Sequence, residues 1–250
     1  VITASGEKKT INAAREIILS LGTVRTPTLL EASGIGHSKI LANASIPVKV
    51  DLPGVGLHMQ DQINYNLAFN TSITNNFTYD LTNIPTYAFV TAYDLFGANT
   101  PSILTSLRHS IPSYAAETAA RSNGATTPSA ERARLNARVD LLSNPFVPIG
   151  ELILQPTFAA FWQTLPFSSG EVHINATNPA KPLINPNWFQ FDFDFQVQVA
   201  LVKFARKLYA TPPLSTFLNP VETNPGLDVL SENATEQEYR GFFNTSGAAV

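Results

Sequence analysis

Four histidines, His37, His58, His109 and His173, are the general-base candidates of this chain by residue type. None of them has a paired spacing that would hold a metal, and the absence of cysteine removes thiolate metal sites and disulfides together. A serine-hydrolase reading fails for want of a nucleophile elbow, because Ser33-Gly34 and Ser246-Gly247 lack the Gly-x-Ser-x-Gly frame. Asp192 and Asp194 are better explained as caps of the helix that follows than as a glycosidase pair. Phe189, Phe191, Phe193 and Phe195 alternate with polar residues, a pattern that fills cores more often than it builds a carbohydrate platform. The strongest chemistry lies in backbone groups. The apolar run Ile17-Ile18-Leu19 leads through Ser20, Leu21 and Gly22 into Thr26-Pro27, and the stretch leaves through Ser33-Gly34-Ile35-Gly36. This order predicts a strand, a tight glycine turn, and a short helix with Thr26 as N-cap and Pro27 at the first helical position. Bare N–H groups and the positive end of the helix dipole then face whatever lies against the strand end, which suits a dinucleotide.

The surrounding elements follow from pattern and punctuation. Ile2 to Ser5, Thr10 to Ala14 and Glu16 to Ser20 read as strands, the first two joined by the polar turn Gly6 to Lys9. Ser38 to Ala42 reads as a short helix, and Ile46 to Val50 as a strand stopped by Asp51 and Pro53. From Ile63 to Asn70 apolar and polar residues alternate with a period of two, which predicts a half-buried strand, and the domain boundary is placed just before it. Thr71 to Thr82 reads as an exposed polar loop and Pro85 to Phe96 as a short helix. Glu117 to Arg138 reads as two helical pieces around Asn123-Gly124 and Pro128, the second capped by Ser129. Glu151 to Thr157, Ala159 to Gln163 and Glu171 to Asn175 read as strands of an antiparallel sheet, with His173 a surface or core residue of the last. The clearest helix is Asp192 to Tyr209, with Phe195, Val199, Val202, Ala205 and Leu208 at helical spacing and Lys203, Arg206 and Lys207 toward its C-terminal end.

With 250 residues, 44% hydrophobic and 14% charged, the chain is long enough for one large core or two small ones. A net charge of −3 and scattered Lys and Arg leave no basic stripe for nucleic acid. No apolar run is long enough for a membrane span. Sequons at Asn43, Asn70, Asn76, Asn175, Asn233 and Asn244 are glycosylation candidates and point to a secreted protein.

The spacing from Gly22 to Gly36 resembles the second signature of the glucose-methanol-choline (GMC) oxidoreductases, flavoenzymes that oxidise alcohols. Gly22, Thr23, Thr26, Pro27, Leu29, Leu30, Ser33, Gly34, Ile35 and Gly36 fit that pattern. The likeness continues through Leu52-Pro53-Gly54-Val55-Gly56, Gln60-Asp61-Gln62, Pro166 to Val172 and Asn185-Pro186-Asn187. It implies a mixed fold, α/β and α+β: a partial FAD-binding domain over residues 1–62, and a truncated substrate-binding domain over residues 63–250 with an antiparallel sheet and packed helices. It further implies FAD as cofactor and a small-molecule alcohol, aryl alcohol or sugar as substrate, with hydride passing to the flavin. Ser20, Leu21, Gly22, Thr26 and Pro27 become the cofactor-binding candidates. Leu21 stands where the family commonly has Ala, and a bulkier side chain works against close approach of the cofactor. The family's N-terminal Gly-x-Gly-x-x-Gly turn and its C-terminal His-Pro-x-Gly-Thr segment find no match, so the resemblance implies an internal fragment, and no catalytic or metal-binding residue is assigned. His58, beside Gln60 and Asp61, is the histidine nearest a segment that could approach the flavin. The alternative is a catalytically inactive remnant or partner-dependent binding protein, which unpaired strand edges and exposed apolar surface would mark. The oligomeric state is left open.

Overall fold

The computed structural model describes residues 4–72 and 85–246. The expected loop from Thr71 to Thr82, with Asn76, falls mostly outside them, as does the start of the strand expected over Ile2 to Ser5. The chain divides into two compact units: a smaller one of Val1–Gly56 with Val172–Ile184, and a larger one of Leu57–Glu171 with Asn185–Val250.

In the smaller unit, helix α1 (Gly22–Ala32) leads into strand β1 (Ile35–Gly36), helix α2 (Ser38–Asn43) and strand β2 (Val50–Asp51). β1 and β2 pair in parallel, Ile35 with Val50 and Gly36 with Asp51, so the strand expected from Ile46 shrinks to its last residue and the next. The expected strands before α1 do not form among the described residues; apart from a single bridge at Lys8 the segment is irregular. A strand needs a neighbour for its N–H and C=O groups, and beyond the Lys8 bridge no strand among the described residues pairs with this segment; Ile11, Ile17 and Ile18 remain 69%, 76% and 78% exposed. α1 begins at Gly22, four residues before the expected cap, so Pro27 lies inside the helix and Thr26 is not its N-cap. The Thr26 hydroxyl instead accepts a hydrogen bond from Leu21 N at 3.0 Å.

In the larger unit, β3 (Leu57–Met59) is followed by β4 (Tyr65–Asn70), β5 (Thr86–Thr91), α3 (Ala92–Phe96), α4 (Thr100–Arg121) and α5 (Pro128–Leu142). Then come β6 (Pro148–Gln155), β7 (Phe158–Gln163), β8 (Gly170–His173), β9 (Leu183–Asn185), α6 (Asp192–Tyr209), α7 (Leu214–Leu218), β10 (Val221–Asn224) and α8 (Glu236–Ser246), with β8 and β9 each running across a unit boundary. A five-stranded antiparallel sheet has the order β10-β4-β7-β6-β5. The alternation from Tyr65 to Asn70 does what its period requires: Tyr65, Leu67 and Phe69 are buried while Asn66 and Asn70 are exposed. Leu67, Leu152, Ala159 and Phe161 on the same sheet face are fully buried against the helices. α6 approaches closely at Gly150, where a Cβ would stand 2.5 Å from Leu201 Cδ2. The alternating phenylalanines are core residues, Phe191, Phe193 and Phe195 all being buried.

Several expectations shift. Pro85 to Phe96 is half strand, since Thr86–Thr91 pairs with β6, and only Ala92–Phe96 is helical, opened by a Thr91–Asp94 capping box. α5 is capped by Thr127 rather than Ser129, with Pro128 at the first helical position. β8 does not join the sheet of β6 and β7; within the larger unit its first residues, Gly170 and Glu171, pair with Met59 and Leu57 of β3.

Candidate functional site

In the smaller unit, the glycine-led start of α1 is the part with free backbone chemistry. Gly22 adopts φ +80°, a left-handed conformation that a side chain would strain, although a Cβ there would meet nothing within 4 Å. Glycine is needed at this position for conformation, not for space. No side chain caps the N–H groups of the first turn, so these donors and the positive end of the dipole are open to an acceptor. Ser20 is exposed and Leu21 is 50% exposed, so the leucine does not retreat into the core. Of the five sequence candidates, Ser20, Leu21 and Gly22 border this open end; Thr26 fixes it through the Leu21 N–H, and Pro27 lies a turn farther along the helix.

The far end of α1 is locked by a residue that sequence reasoning passed over. Glu31 is fully buried, and its carboxylate lies 2.6 Å from His173 Nδ1 and accepts from Ile174 N at 2.6 Å. Gly36 gives it room, because a Cβ there would stand 3.0 Å from Glu31 Cγ. Arg25 adds a bond to the Ala180 carbonyl at 3.2 Å, so α1 is tied twice to the returning segment 172–184. Gly56, at φ +82°, completes the lock: a Cβ there would run into the Val172 carbonyl oxygen and stand 2.8 Å from the His173 imidazole. No local pattern marks a glutamate in a helix as buried when its partners lie 142 and 143 positions away. His37 is accounted for in the same unit as the N-cap of α2, its Nδ1 accepting from Lys39 N at 3.0 Å.

In the larger unit, Asp194 is not the cap of its own helix; Phe191 occupies the N-cap position, and Asp192 and Asp194 lie in the first turn. The buried Asp194 carboxylate accepts from Phe167 N at 2.8 Å, Ser168 N at 2.6 Å and Gln163 Nε2 at 2.9 Å. Burial raises its pKa above the usual carboxylate value, and these hydrogen bonds oppose the shift. It thereby shapes the turn that carries Pro166 to Gly170. His58 sits at φ +58° with Nε2 3.3 Å from the buried Glu131, which Arg134 also pairs at 2.8 Å. Burial lowers the His58 pKa, Glu131 raises it, and Arg134 and Arg138 lower it. A shallow polar cleft beside it is lined by Thr118, Arg121, Gly170, Glu171 and Gln190. His109 is exposed on α4. The four histidines are thus dispersed, and among the described residues no group of His, Asp and Glu could hold a metal.

Among the sequons, Asn43, Asn70, Asn233 and Asn244 are exposed. Asn175 is half-buried, and its side-chain oxygen accepts from Thr177 N, Thr177 Oγ1 and Asn178 N. No helix among the described residues is long and apolar enough to cross a membrane.

Comparison with known proteins gives two family models described as GMC oxidoreductase, one matching residues 1–64 and the other residues 166–249. The glucose oxidase-like protein fsoC of Humicola fuscoatra is 30% identical over 244 residues, covering 96% of this chain and 40% of that protein. Glucose oxidase 1 of Penicillium expansum is 32% identical over 230 residues, 88% of this chain and 36% of that protein. The solved structure of a fungal aryl-alcohol oxidase superposes with a TM-score of 0.78 at 26% identity, over 94% of this chain and 44% of that one. An FAD-dependent oxidoreductase from Chaetomium thermophilum has the same fold, with a TM-score of 0.77 at 23% identity over 96% of this chain and 45% of that one. The chain spans about 40% of the length of the curated relatives it matches.

Proposed function

This chain belongs to the GMC oxidoreductase family, and from that premise we propose that it is part of an FAD-dependent oxidoreductase acting on the CH–OH group of alcohols. The observation that carries the reading is the uncapped, glycine-led N-terminus of α1 within the segment matched by the family model. Its open N–H donors and the exposed Ser20 and Leu21 backbone fit a cofactor rich in phosphate and carbonyl oxygen. Bound FAD supplies the acceptor for the hydride of the carbinol carbon. This chain's own share is to bind and to position. Gly22 supplies the turn, Thr26 holds Leu21 N, and the Glu31–His173 lock fixes α1 behind them. In the proposed division, residues 1–62 contribute to the FAD-binding domain and residues 63–250 to the substrate-binding domain.

The test is flavin retention: the purified chain is mixed with FAD, desalted, and its visible absorbance recorded. A retained flavin band that weakens in Thr26→Val supports the reading; a folded, colourless protein overturns it for this chain and leaves a non-catalytic remnant. Secretion and N-glycosylation belong to the same proposal, supported by the exposure of Asn43, Asn70, Asn233 and Asn244. A mobility shift on treatment with a glycan-removing amidase, for chain secreted from a eukaryotic host, tests them.

A further inference from the structure

The connection between α4 and α5 places an asparagine and a glycine where they can react with each other. Ser122 to Ala125 form a turn closed by Ala125 N, which donates to the Ser122 carbonyl at 3.1 Å. Asn123 and Gly124 occupy its two central positions at φ +52° and +90°, the signs of a type I′ turn. The buried Ser122 pins the turn a second time, its hydroxyl accepting from Thr126 N at 3.2 Å. The two central residues are exposed, and a Cβ on Gly124 would meet nothing within 4 Å. Water and dissolved base therefore reach the peptide group that joins them.

The amide that follows an asparagine decides whether the side chain can react with it. A main-chain N–H held in a hydrogen bond, or missing as in proline, is a poor nucleophile toward the preceding side chain. Asn144, Asn178, Asn185, Asn219 and Asn224 each precede proline. After Asn43, Asn99 and Asn233 the next N–H is bound to a carbonyl, and after Asn136 and Asn244 it lies inside a helix. In a closed turn the N–H of the third residue stays outside the closing bond, and Gly124 N donates to nothing among the described residues. Asn123-Gly124 is the only Asn-Gly pair of the chain, and glycine brings no Cβ to obstruct the approach or restrict the rotation it needs.

We infer that Asn123 is a site of spontaneous deamidation in the folded protein. Gly124 N gives its proton to a base of the solvent and bonds to Asn123 Cγ, the two groups reacting as an intramolecular pair. The Cγ–Nδ2 bond breaks, the amide group takes a proton from water and leaves as ammonia, and a five-membered succinimide remains. Water then opens the ring. Attack at the side-chain carbonyl yields aspartate; attack at the main-chain carbonyl yields isoaspartate, in which the chain runs through the former side chain and gains a methylene. Aspartate puts an anionic oxygen where Nδ2 now lies 3.5 Å from the Arg121 carbonyl, at the negative end of the α4 dipole. Isoaspartate moves Ser122 away from Ala125 and Thr126, the two donors that close the turn.

The experiment is prolonged incubation of the 250-residue chain at mildly alkaline pH, with circular dichroism before and after to follow the fold. Ion-exchange chromatography, peptide mapping by mass spectrometry and labelling by an isoaspartate-specific methyltransferase read the result. A species with one negative charge beyond the −3 of the intact chain should accumulate, its mass change and methyl label confined to the peptide that holds residues 122–126. Asn123→Gln, whose longer side chain would have to close a six-membered ring, should lose the label. The purified isoaspartate form should show faster hydrogen exchange at the Ala125 and Thr126 amides than the intact chain. A chain held unfolded in guanidinium is the reference. Label that appears in the reference alone, label that builds up in the folded chain as fast at Asn43 or Asn233 as at Asn123, or an Asn123 peptide that keeps its mass would each overturn the inference.

Discussion

Replacing Glu31 by alanine should be among the most damaging single changes in the smaller unit. The carboxylate is fully buried and receives two short bonds, from the His173 ring and from Ile174 N. Truncation strands both partners at about 1–3 kcal/mol each. Against a total stability of about 5–15 kcal/mol, such a loss is readily measured. Glu31→Gln is the informative control. Its amide oxygen still accepts from Ile174 N and its NH₂ group faces His173 Nδ1, so about 1 kcal/mol should be lost, the difference between charge-assisted and neutral bonds. Guanidinium unfolding gives the size of the effect, and hydrogen exchange at the Ile174 amide gives its location. A double-mutant cycle with His173→Asn should return a coupling of about 1–3 kcal/mol. If Glu31→Ala costs less than about 1 kcal/mol, or the Ile174 amide keeps its protection, the lock does not hold α1.

The remaining predictions are as follows. Gly56→Ala should cost about 3 kcal/mol in chemical denaturation, because it forces a side chain into positive φ and against the Val172 carbonyl. Asp194→Ala should cost about 3–5 kcal/mol and loosen the 163–168 turn, seen as faster exchange of the Phe167 and Ser168 amides; Asp194→Asn, which keeps one acceptor oxygen, should cost less. For His58, burial holds the folded pKa below the ordinary 6.5, so the unfolded chain takes up the proton first as pH falls. Its contribution is fully present above pH 6.5 and is lost as pH falls from there through the folded pKa; His58→Asn, whose side chain tolerates positive φ, should flatten that limb of a stability-against-pH curve.

Elements that declare themselves locally were legible in the sequence. The period of two from Tyr65 to Asn70, the apolar stripe of α6 and the Asn123-Gly124 break between α4 and α5 need only neighbouring residues to be read. The extent of α4 was not legible. Its serines, threonines and the internal Pro112 hide a helix that tertiary packing of Leu104, Leu107 and Ile111 sustains. Thr26-Pro27 resembles a helix start, yet Gly22 supplies the turn four residues earlier and the threonine hydroxyl is used by Leu21 N. β5 was read as helix although Thr86, Tyr87, Phe89, Val90 and Thr91 are β-branched or aromatic types that strands favour, and pairing with β6 decides the matter. In the candidate site, the glycine-led helix was visible from spacing, whereas Glu31 and Asp194 owe their roles to distant backbone donors.

The smaller unit is assembled from two pieces of chain, Val1–Gly56 and Val172–Ile184, with residues 57–171 between them. During synthesis the first piece therefore leaves the ribosome without the segment that Glu31, Arg25 and Gly56 are shaped to receive. At typical elongation rates of about 5–20 residues per second the wait is on the order of ten seconds, long compared with helix formation or collapse. Over that interval α1 has no anchor and Ile11, Ile17 and Ile18 are open to any apolar surface. The order of birth of the chain thus keeps the smaller unit open until residues 172–184 emerge and the larger one open until residues 185–250 follow, and gives a holdase chaperone a defined window on the N-terminal segment.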